Sequence, residues 1–160
     1  WDKKYWDTQR QKVLNKHARS NVCFGDKEVE PDYENKQGRI VAYNSVPTLE
    51  KFKKELEMLI GEKANNLICE GNRYFDIKKC GIGWHGDSER KKVIGIRLGQ
   101  SMLFKIRWYN NSKPKSESVS IILNDGDMYI MSEKAVGYDW KRRNMFTLRH
   151  SAGCDKYTKE

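Results

Sequence analysis

Hydrophobic positions between residues 47 and 61 recur at spacings of three and four, which is the period of an α-helix. The side chains that share this apolar face are Leu49, Phe52, Leu56, Leu59 and Ile60. Lysine and glutamate fill the opposite face. Pro47 is favoured in the first turn of a helix, and Gly61 is favoured just after the last turn. The pattern predicts one amphipathic helix between these two residues.

After Gly61 the hydrophobic period changes to two, as in β-strands. Within 101–109, for example, Phe104 and Ile106 alternate with Lys105 and Arg107. Strands are predicted after Gly61 at 66–75, 93–98, 101–109, 119–123, 128–131 and 145–150. Before the helix, the apolar, β-branched run at 39–43 predicts one more strand. The run Asn-Asp-Gly-Asp at 124–127 marks a turn. One helix followed by many short strands favours a β-sandwich or barrel with a supporting helix.

The chain is long enough for one domain: it has 160 residues, and 38% of them are hydrophobic. We expect a single domain over 1–160. Residues 1–35 are polar with scattered apolar anchors and predict an irregular amino-terminal arm. Residues 36–65 hold a strand and the helix, and 66–153 form the β core.

The charge balance favours an anionic partner. Lysine and arginine number 31 against 22 acidic residues, which gives a net charge of +9. Such a balance is typical of nucleic-acid binding, and simple solubility is the alternative. No apolar run approaches the roughly 18 residues of a membrane helix, so we expect no membrane partner. We expect a monomer.

The cysteines predict an intracellular protein, cytoplasmic or nuclear, rather than a secreted one. There are four, none of them in a CxxC pair: Cys23, Cys69, Cys80 and Cys154. This density is below that of secreted disulfide scaffolds, and the spacing does not suit a zinc site. We expect reduced thiols.

One short motif carries metal chemistry. His85 and Asp87 are two residues apart, so along an extended segment both side chains point the same way. With a distant histidine they form a two-histidine, one-carboxylate triad, which suits non-haem Fe(II). The other histidines are His17, in the polar arm, and His150.

The context of this motif resembles a known family. Asn72-Arg73-Tyr74 precedes Gly81-Ile82-Gly83-Trp84-His85-Gly86-Asp87-Ser88-Glu89. This order is similar to that of the AlkB family of Fe(II)- and 2-oxoglutarate-dependent dioxygenases, in which an N-R-Y strand precedes H-x-D-x-E. The resemblance covers residues 66–153. It implies a double-stranded β-helix, or jelly roll, and the cofactors Fe(II), 2-oxoglutarate and O2. It also implies oxidation of a nucleobase in DNA or RNA, by demethylation or hydroxylation.

The resemblance also implies residue roles. Asn72 and Tyr74 are expected to contact 2-oxoglutarate, and Glu89 to help hold the target base. The run Arg143-Asn144-Met145-Phe146-Thr147-Leu148-Arg149 is similar to the family's R-x-x-L-T-F-R strand. A guanidinium is the natural partner of a carboxylate, so Arg143 and Arg149 are assigned to 2-oxoglutarate. Aromatic residues can stack on a base; the candidates are Trp84, Trp108 and Tyr109.

The sequence departs from the family at the third metal ligand. The family's second histidine precedes the arginine strand, and no histidine lies between Gly126 and Arg143. We therefore predict His150 as the third ligand. Neighbours on a regular strand point to opposite faces, so Arg149 and His150 share one cavity only if the strand ends or bulges there.

Alternatives remain open at this point. Tyr138 or Asp139 can replace His150 as ligand, or the metal site is not intact. If Arg149 is displaced, Lys156 or Lys159 can hold the cosubstrate. The same oxygenase chemistry on a protein side chain or small molecule is one rival function. A catalytically decayed nucleic-acid-binding module is the other.

Overall fold

The computed structural model describes all residues from Trp1 to Glu160. The chain is mainly β, with few helices, which confirms the predicted β-rich class. It divides into two compact units, Trp1–Phe75 and Asp76–Glu160. The boundary therefore lies inside the segment predicted as one β core, because the strand that ends at Arg73 belongs to the first unit.

The first unit begins with a hairpin of strands β1 (Lys4–Asp7) and β2 (Lys12–Asn15). Trp6 lies opposite Val13 in this pair. The Asp7 side chain closes the turn by accepting from the backbone N–H of Arg10 (2.8 Å). Strand β3 (Ser20–Gly25) follows. These strands show that the prediction of an irregular arm over 1–35 is wrong. The sequence pattern did not reveal them because they are too short for their alternation to stand out.

A three-stranded sheet completes the first unit. Strand β3 lies at its centre, parallel to β4 (Ile40–Ala42) and antiparallel to β5 (Cys69–Arg73). Helix α1 (Pro47–Ile60) connects β4 to β5, as predicted. It ends at Gly61, whose φ of +74° suits glycine. The buried apolar residues here are Val22, Ala42 and Ala64.

The second unit contains seven strands and two short helices. Strands β6 to β10 are Gly81–His85, Val93–Ile96, Met102–Asn110, Lys113–Pro114 and Val119–Leu123. They are followed by β11 (Met128–Met131), α2 (Glu133–Val136), β12 (Phe146–Gly153) and α3 (Asp155–Thr158). The larger sheet has the order β10-β8-β12-β6, with β9 paired to β8, and β7 pairs with β11. All these pairs are antiparallel.

The two sheets of the second unit contact each other through aromatic side chains. The rings of Phe104 on β8 and Tyr129 on β11 lie 5.7 Å apart. Gly95 on β7 makes room for Tyr129, because a Cβ at that position would collide with the tyrosine ring. The buried apolar residues of the second unit include Met102, Phe104, Leu123, Met131 and Val136.

None of the helices combines the length and apolarity that spanning a membrane demands. The four cysteines are all free thiols, and Cys80 is buried.

Candidate metal centre

His85 is the last residue of β6, and its orientation is fixed by its own strand. The Nδ1–H of His85 donates to the carbonyl oxygen of Gly83 (2.8 Å). This hydrogen bond selects the tautomer in which Nε2 carries a lone pair. Metal-ligating histidines are commonly held in this way, since the bond from the other ring nitrogen orients the ring and raises its basicity.

Asp87 lies in the loop just after β6 and is held from helix α2. Its backbone N–H donates to the carbonyl of Val136 (3.0 Å), a fully buried residue. Between the two candidate ligands, Gly86 is buried against Gly137 and Trp140. A Cβ at Gly86 would lie 2.6 Å from the Cβ of Trp140, so only glycine fits here. The path of the chain from His85 to Asp87 is therefore fixed by packing.

His150 on β12 lies directly opposite His85 on β6 in the antiparallel register. Their ring centroids are 4.3 Å apart, and His150 also stacks on Phe104 at 5.8 Å. The register of β12 against β6 shifts just after His150. The predicted irregularity near Ser151 is thus present, although the strand itself continues to Gly153.

The structure brings together the three side chains predicted from the sequence as ligands. Their donor atoms all lie within 4.8 Å of one another. Nε2 of His85 is 3.6 Å from Oδ1 of Asp87, and Nε2 of His150 is 3.9 Å from Oδ2. Two imidazole nitrogens and one carboxylate oxygen that converge in this way can hold a divalent metal ion and leave positions for other ligands.

The electrostatics of His150 suit a ligand. The residue is 7% exposed, and its Nδ1 is buried. Burial, and next the neighbouring His85, lower the pKa of His150 to about 4. The ring is therefore neutral near pH 7, and neutral imidazole is the form that binds metals.

Sequence reasoning missed Arg90, which lies against this cluster. The backbone N–H of Arg90 donates to the carbonyl of Asp87, and its Nη1 lies 3.3 Å from Oδ2 of Asp87. Arg90 belongs to a polar run with no hydrophobic alternation, so periodicity gives no signal there. The spacing of three from Asp87, typical of a turn, is the signal that points to it.

Tyr129 lies near the same cluster, and sequence reasoning missed it as well. Burial raises the pKa of Tyr129, with the Asp87 carboxylate adding to the rise and Arg97 opposing it. Through Phe104, which contacts both Tyr129 and His150, the aromatic core between the sheets continues to the histidine pair.

Arg149 lies on the opposite face of the sheet from His150. Its guanidinium carbon sits 4.3 Å from the ring centroid of Tyr109 and 5.1 Å from that of Trp140. Adjacent strand residues alternate between faces. The structure therefore does not bring Arg149 to the group of His85, Asp87 and His150. Arg143 is exposed and precedes β12 rather than lying in it, so the two arginines do not share a strand face.

The predicted base-stacking residues are also divided between faces. Trp84 precedes His85 and points away from it: its Nε1–H donates to the carbonyl of Lys159 (2.7 Å). Tyr109 is buried beside Trp84, with ring centroids 6.2 Å apart. Trp108 is exposed and lies on the face of His150. Glu89 is exposed in the turn between Asp87 and Arg90.

Asn72 and Tyr74, predicted to contact 2-oxoglutarate, belong to the first unit. Asn72 lies on β5 and is exposed. Its side-chain oxygen accepts from Nε of Arg19 (2.9 Å), and its amide donates to Glu70 (3.2 Å). Tyr74 follows the strand and is half-buried.

The alternative third ligands do not join the cluster. Asp139 accepts from Nζ of Lys134 (2.6 Å), and Lys91 lies 5.4 Å from the ring centroid of Tyr138. His17 is exposed in the first unit. Lys156, the alternative cosubstrate residue, lines a separate cavity of about 440 Å³ that also contains Lys78.

Comparison with known proteins yields one informative similarity. The chain is 49% identical over 159 residues to an uncharacterized protein of Acanthamoeba polyphaga mimivirus. The match covers 99% of this chain and spans 61% of the viral protein's length. No protein-family model matches the chain, and no solved structure matches it.

Proposed function

We propose that this chain is an Fe(II)- and 2-oxoglutarate-dependent dioxygenase that oxidises a nucleobase in DNA or RNA. The observation that carries the proposal is the convergence of His85, Asp87 and His150, whose donor atoms lie within 4.8 Å of one another. His85 on β6 and Asp87 in the loop after it lie far in sequence from His150 on β12. A structural ion pair alone does not require two partly or fully buried histidines in direct ring contact.

The donor set fits Fe(II) better than its common competitors. Structural zinc sites are closed by four ligands, mostly cysteine and histidine, and calcium and magnesium prefer oxygen. Two histidines and one carboxylate form the facial triad of non-haem Fe(II) oxygenases. With 2-oxoglutarate and O2, bound Fe(II) supplies an oxidant for unreactive C–H bonds.

We assign the carboxylate of 2-oxoglutarate to Arg90. This guanidinium is the one that the structure places against the cluster, with Nη1 3.3 Å from Asp87. A guanidinium presents its N–H donors in a rigid planar fork that matches the geometry of a carboxylate. Arg90 thereby takes the role that the family resemblance assigns to Arg149.

The arrangement of strands in the second unit also supports the proposal. We infer that the second unit is a jelly roll, with β6, β8, β10 and β12 in one sheet and the β7–β11 pair facing it. Strands distant in sequence lie side by side and antiparallel in the larger sheet, as in that fold. The metal ligands lie on the inner face of β6 and β12 and in the adjoining loop.

A nucleic-acid substrate agrees with the charge. A net charge of +9 attracts phosphates regardless of base sequence. A base within a duplex cannot reach a metal held between two sheets, so the target is single-stranded or flipped out.

An iron titration of the apo-protein in the presence of 2-oxoglutarate tests the proposal. We expect a visible charge-transfer band that requires both components, and succinate formation under O2 that His85→Ala and Asp87→Ala abolish. Oligonucleotides should stimulate succinate formation. A band and turnover without any response to oligonucleotides would point to a protein or small-molecule substrate. Absence of the band together with oligonucleotide binding would favour the non-catalytic module.

A further inference from the structure

The second unit has an open cavity whose walls are two exposed aromatic rings. The cavity measures about 290 Å³ and is lined by Trp108, Lys115, Ser116 and Phe146, which together we call the aromatic cleft. The rings of Trp108 and Phe146 are nearly perpendicular, at 82°, with centroids 6.5 Å apart. Trp108 is 39% exposed and Phe146 is 56% exposed. Two neighbouring rings with exposed faces can stack with a base of a bound nucleic acid.

The aromatic cleft lies on the same sheet face as the side chains of His85 and His150. Trp108 is opposite Leu148 in the β8–β12 register, and Ile106 is opposite His150. Positions two apart on a strand share a face, so Trp108 and the side chain of His150 project to the same side. At about 3.3 Å per residue along the strand direction, His150 lies about 7 Å from the level of Trp108 and about 13 Å from Phe146.

The rim of the aromatic cleft is basic. Lys115 is part of its lining, and Nζ of Lys134, which also binds Asp139, lies 5.8 Å from the ring centroid of Trp108. The backbone N–H of Asn111 donates to the carbonyl of Arg143 (3.1 Å). This bond holds the exposed basic segment 141–143 against the hairpin that carries Lys115. Aromatic rings combined with positive charge are the features of a site that stacks bases and tracks phosphates.

We propose that the aromatic cleft is a stacking subsite for a base that flanks the target in single-stranded DNA or RNA. Successive bases of a stretched strand are spaced more widely than the 3.4 Å of a stacked duplex, so a neighbour of a base at the metal cluster reaches Trp108. A single strand is specified because a duplex does not expose base faces to an indole ring. The identity of the target rests on the proposed dioxygenase function, whereas binding at the aromatic cleft does not require the metal.

The test measures the Kd of fluorescein-labelled single-stranded DNA and RNA oligomers by anisotropy with the full chain, without iron. Trp108→Ala and Phe146→Ala should each raise Kd by at least about fivefold, the lower end of the loss seen when a stacking aromatic is truncated. Trp108→Phe should restore most of the affinity. Tyr5→Ala, which removes a ring of 39% exposure from the first unit, is the matched control and should leave Kd unchanged. Lys115→Gln should lower the slope of log Kd against log salt by about one.

Two readouts separate this proposal from the proposed function. Succinate formation by the wild-type protein tests the dioxygenase function, whereas the Kd measured without iron tests the cleft alone. If the wild-type protein forms no succinate, the dioxygenase proposal fails. The comparison of Kd values still decides whether the cleft binds single-stranded nucleic acid. An unchanged Kd for Trp108→Ala in a folded protein overturns the proposal. Equal binding of a duplex of the same sequence, with the same loss in Trp108→Ala, overturns the assignment to single strands.

Discussion

Nε2 of His85 lies 3.6 Å from Oδ1 of Asp87, and a single buried glycine separates the two residues in the chain. The strand orients His85 through the carbonyl of Gly83, and helix α2 orients Asp87 through the carbonyl of Val136. Two separate elements thus fix the imidazole of His85 and the backbone of Asp87. Side chains that the fold itself orients need little further ordering to bind a metal ion, which favours high affinity.

His150→Ala should lower Fe(II) affinity by at least about tenfold, since even partners that only orient a metal ligand contribute about 10–100-fold. His150 lies opposite His85, and its Nε2 is 3.9 Å from Asp87, so its removal leaves two ligands. Isothermal titration of the apo-protein with Fe(II) under anaerobic conditions measures the effect.

The controls are His17→Ala, which removes an exposed histidine, and Asp139→Asn, which removes the charge bound by Lys134. Both should keep wild-type affinity. Loss of the metal in Asp139→Asn, with retention in His150→Ala, would place the third ligand next to α2 and refute the His150 assignment.

Asp87→Glu should abolish iron-dependent succinate formation although the negative charge is retained. The bond to Val136 fixes the backbone of residue 87, so the added methylene displaces the carboxylate, and misplacement of about 1 Å can cost about 100-fold in rate. Succinate release is assayed with circular dichroism as the fold control. Glu89→Gln removes an exposed carboxylate two residues away and should keep turnover without oligonucleotide. Normal turnover in Asp87→Glu would contradict the ligand role of Asp87.

Much of this fold follows from the sequence. The ranges 119–123 and 128–131 match the observed β10 and β11, because a strong turn signal separates two apolar runs. Helix α1 has the predicted start and end, since Pro47 and Gly61 act locally. The hairpin of β1 and β2 was not predictable, because each strand has four residues and only part of each is apolar.

The candidate site was predictable in its ligands but not in its surroundings. The motif at His85 and Asp87 is local, and the count of histidines left His150 as the third candidate ligand. The sequence does not show whether Arg149 or its neighbour His150 turns inward. The packing of the Arg149 guanidinium against Tyr109 and Trp140 in the folded chain decides this. Arg90 approaches Asp87 through a tight turn inside a polar run, which hydrophobic periodicity cannot report.

Arg90→Lys should raise the KM for 2-oxoglutarate by about tenfold or more, because lysine keeps the charge but loses the planar fork that grips a carboxylate. Arg149→Lys should leave this KM unchanged and lower the Tm instead, since its guanidinium packs between Tyr109 and Trp140 on the other face. Steady-state succinate assays and thermal melts measure both quantities. A raised KM only in Arg149→Lys would restore the role implied by the family resemblance. A raised KM only in Lys156→Gln would move the carboxylate to the cavity that Lys156 lines.

Gly86→Ala should weaken Fe(II) binding by about tenfold or more without touching any ligand atom, an effect of the size expected for groups that only orient ligands. A Cβ at residue 86 would meet the carbonyl of Gly137 and lie 2.6 Å from the Cβ of Trp140. The backbone must then shift between His85 and Asp87, so Nε2 of His85 and the carboxylate of Asp87 no longer converge on one point. Gly83→Ala, in the strand that precedes Gly86, is the matched control, because a Cβ there meets nothing within 4 Å and the carbonyl that accepts from His85 is retained. Metal titration of both variants, with circular dichroism as the fold control, decides the matter. Equal Fe(II) affinity in the two variants would show that the packing of Gly86 against α2 and Trp140 does not position the ligands.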